Sequence, residues 1–328
     1  MPRRADRRSR PVALVGPTAS GKTSLALEVA RRRTDAEIVS VDSMAVYRGM
    51  DIGTAKPLRS ERAGLHVHMI DIVDPWQDFT LQQYQAEARS AMVDIERRGR
   101  RALLVGGTGL YLRSLTDELS IPGRWPEVAA SLEDEADSIG THALHVRLEH
   151  LDPEAAARIE PTNRRRIVRA LEVTIGAGHP FSSFGPGLLE YPPSEIRQLG
   201  IRYEPEVHDE RIRSRFGDLL ARGLLDEVRG LASDPRGLSR TARQAIGYKE
   251  LLDHLSEGVP LERAVEDSVK RTLALARRQW AWFRRDPRVE WLDPSEDLLD
   301  QVLSRWDAGE SWDAGVPSGM SHRELVED

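Results

Sequence analysis

The sequence contains no cysteine among its 328 residues. Disulfide bonds, thiolate catalysis and cysteine-ligated zinc or iron–sulfur sites are therefore excluded, whereas a metal held by histidine or carboxylate ligands remains possible. No apolar run approaches the roughly 20 residues that a membrane-spanning helix needs. The basic start, MPRRADRRSR, is followed by no apolar segment of the kind found in a secretory signal. We therefore expect a cytoplasmic protein without a membrane span.

Lysine is scarce as well, with four among the 47 basic residues. Arginine clusters therefore carry less weight than usual as signs of a nucleic-acid partner. The net charge of −6 is also unevenly placed, because the segment from Glu290 to Asp328 holds eleven acids and two arginines. That segment contributes −9 and leaves +3 on the rest of the chain. The overall acidity thus does not exclude an RNA partner.

Short apolar runs that end in polar or glycine-rich turns recur in the first third of the chain. They are PVALV at 11–15, EIVSVDS from Glu37, HVHMIDIVD around residue 70 and RALLVGGTG at 101–109. Helical patterns separate them, which predicts an α/β fold with a parallel sheet flanked by helices. Gly16, Asp42 and Gly106 follow three of these runs. Because ligands bind outside the carboxyl ends of parallel strands, we expect these residues to share one crevice.

Changes in composition and in the pattern of apolar residues divide the chain into four parts. Residues 1–10 are predicted to be a disordered tail, and residues 11–115 with 201–293 to form the catalytic core. Residues 116–200 are predicted to form an inserted, mostly helical domain, with a mobile loop at 181–195. Residues 294–328 are predicted to form an acidic, largely disordered tail. Within the core, a helix from about Leu261 to Arg284 carries an apolar stripe interpreted as core packing.

The strongest motif matches G-x-x-x-x-G-K-[ST] between a predicted strand and a predicted helix, which is a P-loop in its required context. Its glycines let the backbone wrap around an anion, so that successive N–H groups and the helix N-terminus point at it. We expect the whole loop to bind a diphosphate or a triphosphate, with Thr23 as the candidate Mg²⁺ ligand. The loop residues are Gly16, Pro17, Thr18, Ala19, Ser20, Gly21, Lys22 and Thr23.

Asp42 closes the strand that follows the P-loop helix, and two interpretations of it stay open. In many P-loop enzymes a carboxylate at this place holds Mg²⁺ through water. Alternatively, Asp42 is a general base that takes a proton from a bound acceptor.

Six blocks of the chain, in order, resemble the tRNA dimethylallyltransferases. They are GPTASGKT at 16–23, VDSMAVYRGMDIGTAKP at 41–57, GGTGLYLRSL at 106–115, DPEAAARIEPTNRRRIVRALEV at 152–173, QAIGYKE at 244–250 and RRQWAWFR at 277–284. One short block could arise by chance, but six in the family's order could not. The resemblance extends from the P-loop to about Trp291.

The resemblance implies a P-loop NTPase-like sheet with an inserted helical domain. It also implies prenyl transfer from dimethylallyl diphosphate to N6 of the adenine that follows the anticodon on its 3′ side, assisted by Mg²⁺. The partners would be the donor and the tRNA anticodon stem-loop, and no obligate protein partner is evident. The P-loop would hold the donor's diphosphate. Lys22 and Arg215 would stabilise the leaving group, Asp42 would be the base for N6, and Thr108 would lie near the same amine.

The same resemblance implies three stretches that contact tRNA. They are Asp42, Ser43, Met44 and Ala45; Arg165, Arg166, Ile167, Val168 and Arg169; and Gln244, Ala245, Ile246, Gly247, Tyr248 and Lys249. Thr108 belongs to the tRNA-contacting set as well. Ala129, Val67 and Leu273 depart from the family pattern, which bears on RNA contacts and not on the P-loop, Asp42 or Thr108.

Three other functions compete with this one. A small-molecule kinase would use the P-loop for ATP, but it gives no role to QAIGYKE. A prenyltransferase acting on free AMP or ADP would share the chemistry but would not need that block. A nucleotide-gated RNA-binding protein would not need Asp42.

Overall fold

The computed structural model describes residues 10–307, except for residues 186, 189 and 203. They form two compact units, of which the first consists of the described residues up to Asp117 and from Tyr191 onward. The second runs from Glu118 to Glu190. The predicted disordered tails lie outside the described residues, apart from Arg10 and residues 294–307.

A six-stranded parallel sheet forms the centre of the first unit, as predicted for this fold class. Its order is β3-β2-β4-β1-β5-β6, and every neighbouring pair is parallel. The strands are β1 (Val12–Val15), β2 (Ala36–Val41), β3 (Val67–His68), β4 (Arg101–Gly106), β5 (Arg197–Ile201) and β6 (Val289–Leu292). The register places Gly106 beside both Val15 and Val41. Consequently the P-loop, Asp42 and the second glycine-rich turn leave the same edge of the sheet.

Helices cover both faces of this sheet and bury its apolar side chains in two clusters, one on each face. They are α1 (Lys22–Arg32), α2 (Leu81–Arg97), α3 (Gly109–Thr116), α8 (Pro205–Ala221), α9 (Leu224–Ala232), α10 (Arg240–Arg243), α11 (Tyr248–Glu257), α12 (Leu261–Phe283) and α13 (Leu298–Asp307). α2 begins at a capping box of Thr80 and Gln83, which satisfies N–H groups at its start. The predicted apolar stripe on α12 packs into the core, as interpreted from its spacing.

The second unit is helical. It contains α4 (Pro126–Ile139), α5 (Thr141–Leu151), α6 (Pro153–Arg158), α7 (Arg164–Ala177) and a 3₁₀ turn at Phe181–Phe184. Side-chain caps from Asp152 and Asn163 start α6 and α7. A core of its own, built on residues such as Leu144, Leu148 and Leu171, holds the four helices together.

Two predicted boundaries need correction. The insertion was predicted as 116–200, but β5 takes residues 197–201 into the sheet and the helical unit ends at Glu190. The acidic tail was predicted to begin at 294, but residues 298–307 form α13. α13 is ordered because Val302 and Trp306 are buried in the cluster that also contains α1.

No helix in the described part of the chain is both long and apolar enough to cross a membrane.

Candidate functional site

The P-loop has the backbone of an anion-binding turn. Gly16 has φ +145° and Gly21 φ +85°, a range that favours glycine. A Cβ on Gly16 would also lie 3.0 Å from the Ile201 carbonyl oxygen, so that the turn passes close to β5. Ala19 has φ 61° although it is not glycine, a local strain of the kind that concentrates at functional sites. The loop leads directly into α1, whose N-terminus therefore faces the same space.

Lys22 is buried at the first position of α1 and curls back over the loop. Its Nζ donates to the Pro17 carbonyl oxygen and, at 3.1 Å, to Ser20 Oγ. The pKa of Lys22 is lowered to about 7, chiefly by burial and then by the Arg215 cation, while the Asp42 carboxylate partly opposes both effects. An anion bound here would restore the favourable surroundings that the charged ammonium lacks.

Arg215 on α8 reaches the same space. Its pKa is lowered, first by burial and then by repulsion from Arg222, while the Asp42 charge opposes the shift. Lys22, Arg215 and Arg222 all line one cavity of about 360 Å³ together with the P-loop. Converging cations that depress one another's protonation are typical of a site for a highly charged anion.

Asp42 leaves β2 in a tight turn. Its Oδ1 accepts the N–H of Met44 at 2.7 Å and of Ala45 at 3.1 Å, which fixes the carboxylate. Its other oxygen accepts no hydrogen bond within the part of the chain that the structure describes. Asp42 lines both the P-loop cavity and a neighbouring cavity of about 480 Å³.

The three glycines of the second glycine-rich turn are packed too closely to be replaced by a residue with a side chain. A Cβ on Gly106 would lie 2.0 Å from the Val41 carbonyl oxygen, and one on Gly107 would lie 2.5 Å from Gln279 Nε2. One on Gly109 would lie 2.1 Å from Trp282 Nε1. The turn is therefore a contact surface for β2 and α12. It presents Thr108 to the larger cavity, beside Asp42.

The loop at 51–57 forms a wall of both cavities. It ends the second of the six matching blocks, but sequence reasoning gave it no role of its own. Thr54 lines both of them, and Ala55, Lys56 and Pro57 line the smaller one. The buried Lys56 ammonium binds the carboxylates of Asp51, at 2.7 Å, and of Asp71, at 2.6 Å.

Glu227 on α9 anchors the start of this loop. Its carboxylate accepts the backbone N–H groups of residues 51, 52 and 53 at 2.9, 2.8 and 3.2 Å. It also accepts the Tyr248 hydroxyl at 2.5 Å. A Cβ on Gly53 would lie 2.4 Å from the Tyr248 ring, so Gly53 lets the ring cover the loop. Burial raises the pKa of Tyr248, and the Glu227 charge adds to the shift, so the hydroxyl stays a donor.

The stretch 244–249 is divided between the larger cavity and the core. Gln244 and Ile246 line the cavity, and Gln244 is exposed. Ala245 and Tyr248 also reach its wall, but their side chains are buried in the apolar core. Gly247 is buried with φ +90°, and Lys249 forms an ion pair with Asp253 at 2.7 Å. The prediction of six tRNA-contacting residues is therefore corrected for the side chains of Ala245 and Tyr248, which are structural.

In the predicted stretch after Asp42, Ala45 is buried, whereas Ser43 and Met44 are half-buried and line the cavity.

The predicted arginine run lies on α7 of the helical unit. Arg165 and Arg166 are exposed. Ile167 and Val168 are buried in the core of that unit, so their side chains are not available for tRNA and that part of the prediction is corrected. Arg169 donates to the carbonyl oxygens of Pro122 and Gly123 and pairs with Glu172 at 2.9 Å.

The departure at Leu273 has a structural reason. Leu273 is buried on α12 against Ile212 and Ala276, in a small apolar cluster that also receives Ala19 of the P-loop. A charged side chain at this position would be buried among apolar side chains without the partner that a charge requires.

The donor atoms of the site determine which metal it could hold. Among the described residues, no group of three or more histidine or acidic side chains could hold a metal ion. Thr23 is exposed on the cavity wall, where Asp42 also lies. One hydroxyl and one carboxylate beside an anion cavity fit Mg²⁺, which usually binds through few protein ligands together with substrate phosphates and water.

Comparison with known proteins adds the family. A family model described as IPP transferase matches residues 45–286. The tRNA dimethylallyltransferase of Geobacter metallireducens is 44% identical over 302 residues, which cover 91% of this chain and 97% of that protein. That of Thermobifida fusca is 45% identical over 299 residues, covering 89% and 93%.

Solved structures agree with the sequence matches. The tRNA isopentenylpyrophosphate transferase of Bacillus halodurans is 36% identical with a TM-score of 0.65, over 91% of this chain and 94% of that one. A eukaryotic dimethylallyltransferase acting on tRNA is 28% identical with a TM-score of 0.72, over 92% and 76%. These matches agree with the six sequence blocks and with the P-loop beside a second cavity. The chain belongs to the IPP transferase family.

Proposed function

We propose that this protein is a tRNA dimethylallyltransferase. It transfers a dimethylallyl group from dimethylallyl diphosphate to N6 of the adenine 3′-adjacent to the anticodon and releases diphosphate. The observation that carries this proposal is that two cavities meet at Asp42. One of them is lined by the P-loop cations, and the other by Thr108 and the 244–246 segment. Such a pair suits a donor with an anionic leaving group and a separate, larger acceptor.

The donor's diphosphate binds in the smaller cavity. The P-loop amides and the N-terminus of α1 surround its oxygens, and Lys22 with Arg215 supply positive charge. Charge grows on these oxygens as the bond between C1 of the dimethylallyl group and oxygen breaks. Cations held in place before the reaction stabilise that charge without reorganisation. Thr23 would hold Mg²⁺, which when bound neutralises part of the diphosphate charge.

The acceptor adenine enters the larger cavity after leaving the anticodon-loop stack, because its amine cannot be reached while stacked. N6 forms the new bond to C1, the electron pair of the broken bond leaves with diphosphate, and one N6 proton passes to Asp42. The oxygen of Asp42 that the Met44 and Ala45 N–H groups do not use is the one available for this proton. Thr108 beside it orients the amine.

The tRNA contacts beyond the adenine come from Ser43 and Met44, from Gln244, Ile246 and Lys249, and from Arg165 and Arg166. These are exposed or half-buried positions. With tRNA as the substrate, the enzyme works in the cytoplasm.

One experiment separates this proposal from its rivals. The protein is incubated with dimethylallyl diphosphate or with ATP, and with either unmodified tRNA or AMP, and released diphosphate and prenylated product are measured. We expect product only with dimethylallyl diphosphate and tRNA. Product with AMP would indicate a prenyltransferase of free nucleotides, and turnover of ATP alone would indicate a kinase or an ATPase.

A further inference from the structure

Gln279 lies on α12 between the two glycine-rich turns. Its Oε1 accepts the backbone N–H of Thr18 in the P-loop at 2.8 Å. Its Nε2 lies against Gly107, where a Cβ would come within 2.5 Å of it. Gln279 also lines both cavities. One carboxamide thus contacts the donor loop and the acceptor turn at once.

Glycine at position 107 is explained by space and not by backbone conformation. Its φ is not in the positive range, so other residues could adopt the same backbone. Any side chain there would meet the Gln279 carboxamide, and a Cβ would also lie 3.1 Å from the Gly16 carbonyl oxygen. The turn is therefore shaped to admit Gln279.

The remaining contacts of α12 place the helix against the same two turns. Ala19 of the P-loop packs into the apolar cluster with Leu273 and Ala276, and the Trp282 ring covers Gly109. These contacts are apolar or steric and are not directional. The hydrogen bond from Thr18 to Gln279 is directional, and it fixes the distance between the loop and the helix.

We propose that Gln279 is a positioning residue for the transfer step. It cross-links the P-loop to the Gly107–Thr108 turn, so that C1 of the donor and N6 of the acceptor meet at bonding distance. This inference rests on the proposed function. Because Gln279 already occupies the Thr18 N–H, donor binding depends on Lys22, Arg215 and the amides nearer α1. Loss of Gln279 therefore affects the rate of transfer and leaves donor affinity nearly intact.

The test compares Gln279→Ala, Gly107→Ala and the double variant with the wild type. A displacement of about 1 Å between reacting groups can cost about 10²-fold in rate. We expect single-turnover transfer to tRNA to slow about 30- to 100-fold in each single variant. The dissociation constant for dimethylallyl diphosphate, measured by calorimetry without tRNA, should change less than about threefold. In the double variant the alanine at 107 no longer meets a carboxamide, so its rate should match that of Gln279→Ala instead of showing the product of two losses.

The control is Lys270→Ala, on the solvent-exposed side of the same helix, which should behave as wild type. Wild-type transfer of the prenyl group is the test of the function itself, so its absence would defeat the proposed function. With an active wild type, an unchanged rate in Gln279→Ala would overturn the positioning role. So would a loss confined to donor affinity, or multiplicative losses in the double variant. If Gly107→Ala fails to fold, the rate and affinity of Gln279→Ala still decide the matter.

Discussion

Glu227 offers a test of how the cavity walls are held, because one carboxylate there receives four hydrogen bonds. Replacing it by alanine leaves three backbone N–H groups of residues 51–53 and the Tyr248 hydroxyl without their acceptor. A hydrogen bond to a charged group contributes about 1.5–3 kcal/mol. Glu227 is only half-buried, so water replaces part of this loss. We expect Glu227→Ala to lower the free energy of unfolding by about 3 kcal/mol, which for a chain of this size lowers Tm by about 4–5 °C.

The same change should also reduce activity at temperatures where the variant is fully folded. The loop anchored by Glu227 lines both cavities through Thr54 and positions Lys56 and its carboxylate partners. We expect kcat/KM at 25 °C to fall by about tenfold or more, as is usual when supporting contacts of a site are loosened. Glu227→Gln keeps one acceptor oxygen, so its Tm and its kcat/KM should lie between those of the wild type and of Glu227→Ala. Thermal unfolding and steady-state transfer to tRNA measure both effects.

The matched control is Asp226→Ala, one residue earlier on α9. Asp226 is exposed, and its carboxylate pairs with Arg229 one helical turn away, an interaction that contributes little at a surface. Wild-type Tm and kinetics in Asp226→Ala, with both reduced in Glu227→Ala, would support the anchor. A Glu227→Ala variant with unchanged Tm would refute the reasoning, because four hydrogen bonds cannot be removed without effect if they form.

Four further predictions concern the charged residues. Lys22→Ala should lower kcat by about 10²–10³, as the loss of one preorganised donor does, and near-normal steady-state turnover would contradict this role. Because the pKa of Lys22 is lowered to about 7, the ammonium is charged below and neutral above that pH. The kcat/KM for dimethylallyl diphosphate should then fall as pH rises through about 7, and this fall should be absent in Lys22→Ala. A flat wild-type profile from pH 6 to 9 would disprove the prediction. Arg165→Ala with Arg166→Ala should weaken tRNA binding and lower the slope of log K against log salt by about one per lost phosphate contact. An unchanged salt slope in the Arg165→Ala and Arg166→Ala double variant would mean that these arginines form only a solvated helix face. Arg169→Ala should instead mainly lower the stability of the helical unit.

Much of the fold and the reacting groups could be predicted from sequence because local patterns specify them. The P-loop is defined by eight consecutive residues, and Asp42 and Gly106 by their place at the ends of apolar runs. The parallel topology then brings these ends to one edge of the sheet. The resemblance to a family added the identity of the reaction, which the P-loop alone does not specify.

The supporting residues could not be found in this way, because their partners are distant in the chain. Glu227 binds residues that lie 174–176 positions earlier, and Gln279 binds a residue 261 positions earlier. No local pattern marks Glu227, and Gln279 lies in the matching block at 277–284 without an indicated role. Only the folded chain reveals why Gly53 and Gly107 must be glycine.

The missed elements have a local explanation. β5 reads RQLGI, with a buried Gln198 where an apolar residue is usual, so its pattern resembles neither an alternating nor a fully apolar strand. α13 lies in an acidic stretch whose composition is typical of disorder. Its Val302 and Trp306 nevertheless supply an apolar face that docks on α1.

The central claim, that Asp42 is the base at the junction of the two cavities, is tested most directly by single-turnover transfer with Asp42→Asn. Asparagine keeps an oxygen to accept the Met44 and Ala45 N–H groups, so the turn should be preserved. We expect the donor and tRNA to bind with dissociation constants within about threefold of wild type, while transfer at saturating substrates slows by about 10²–10⁴, the usual contribution of a general base. A collapse of donor affinity that extra Mg²⁺ partly restores would instead make Asp42 chiefly a metal ligand. Transfer at the wild-type rate would contradict the assignment of Asp42 altogether.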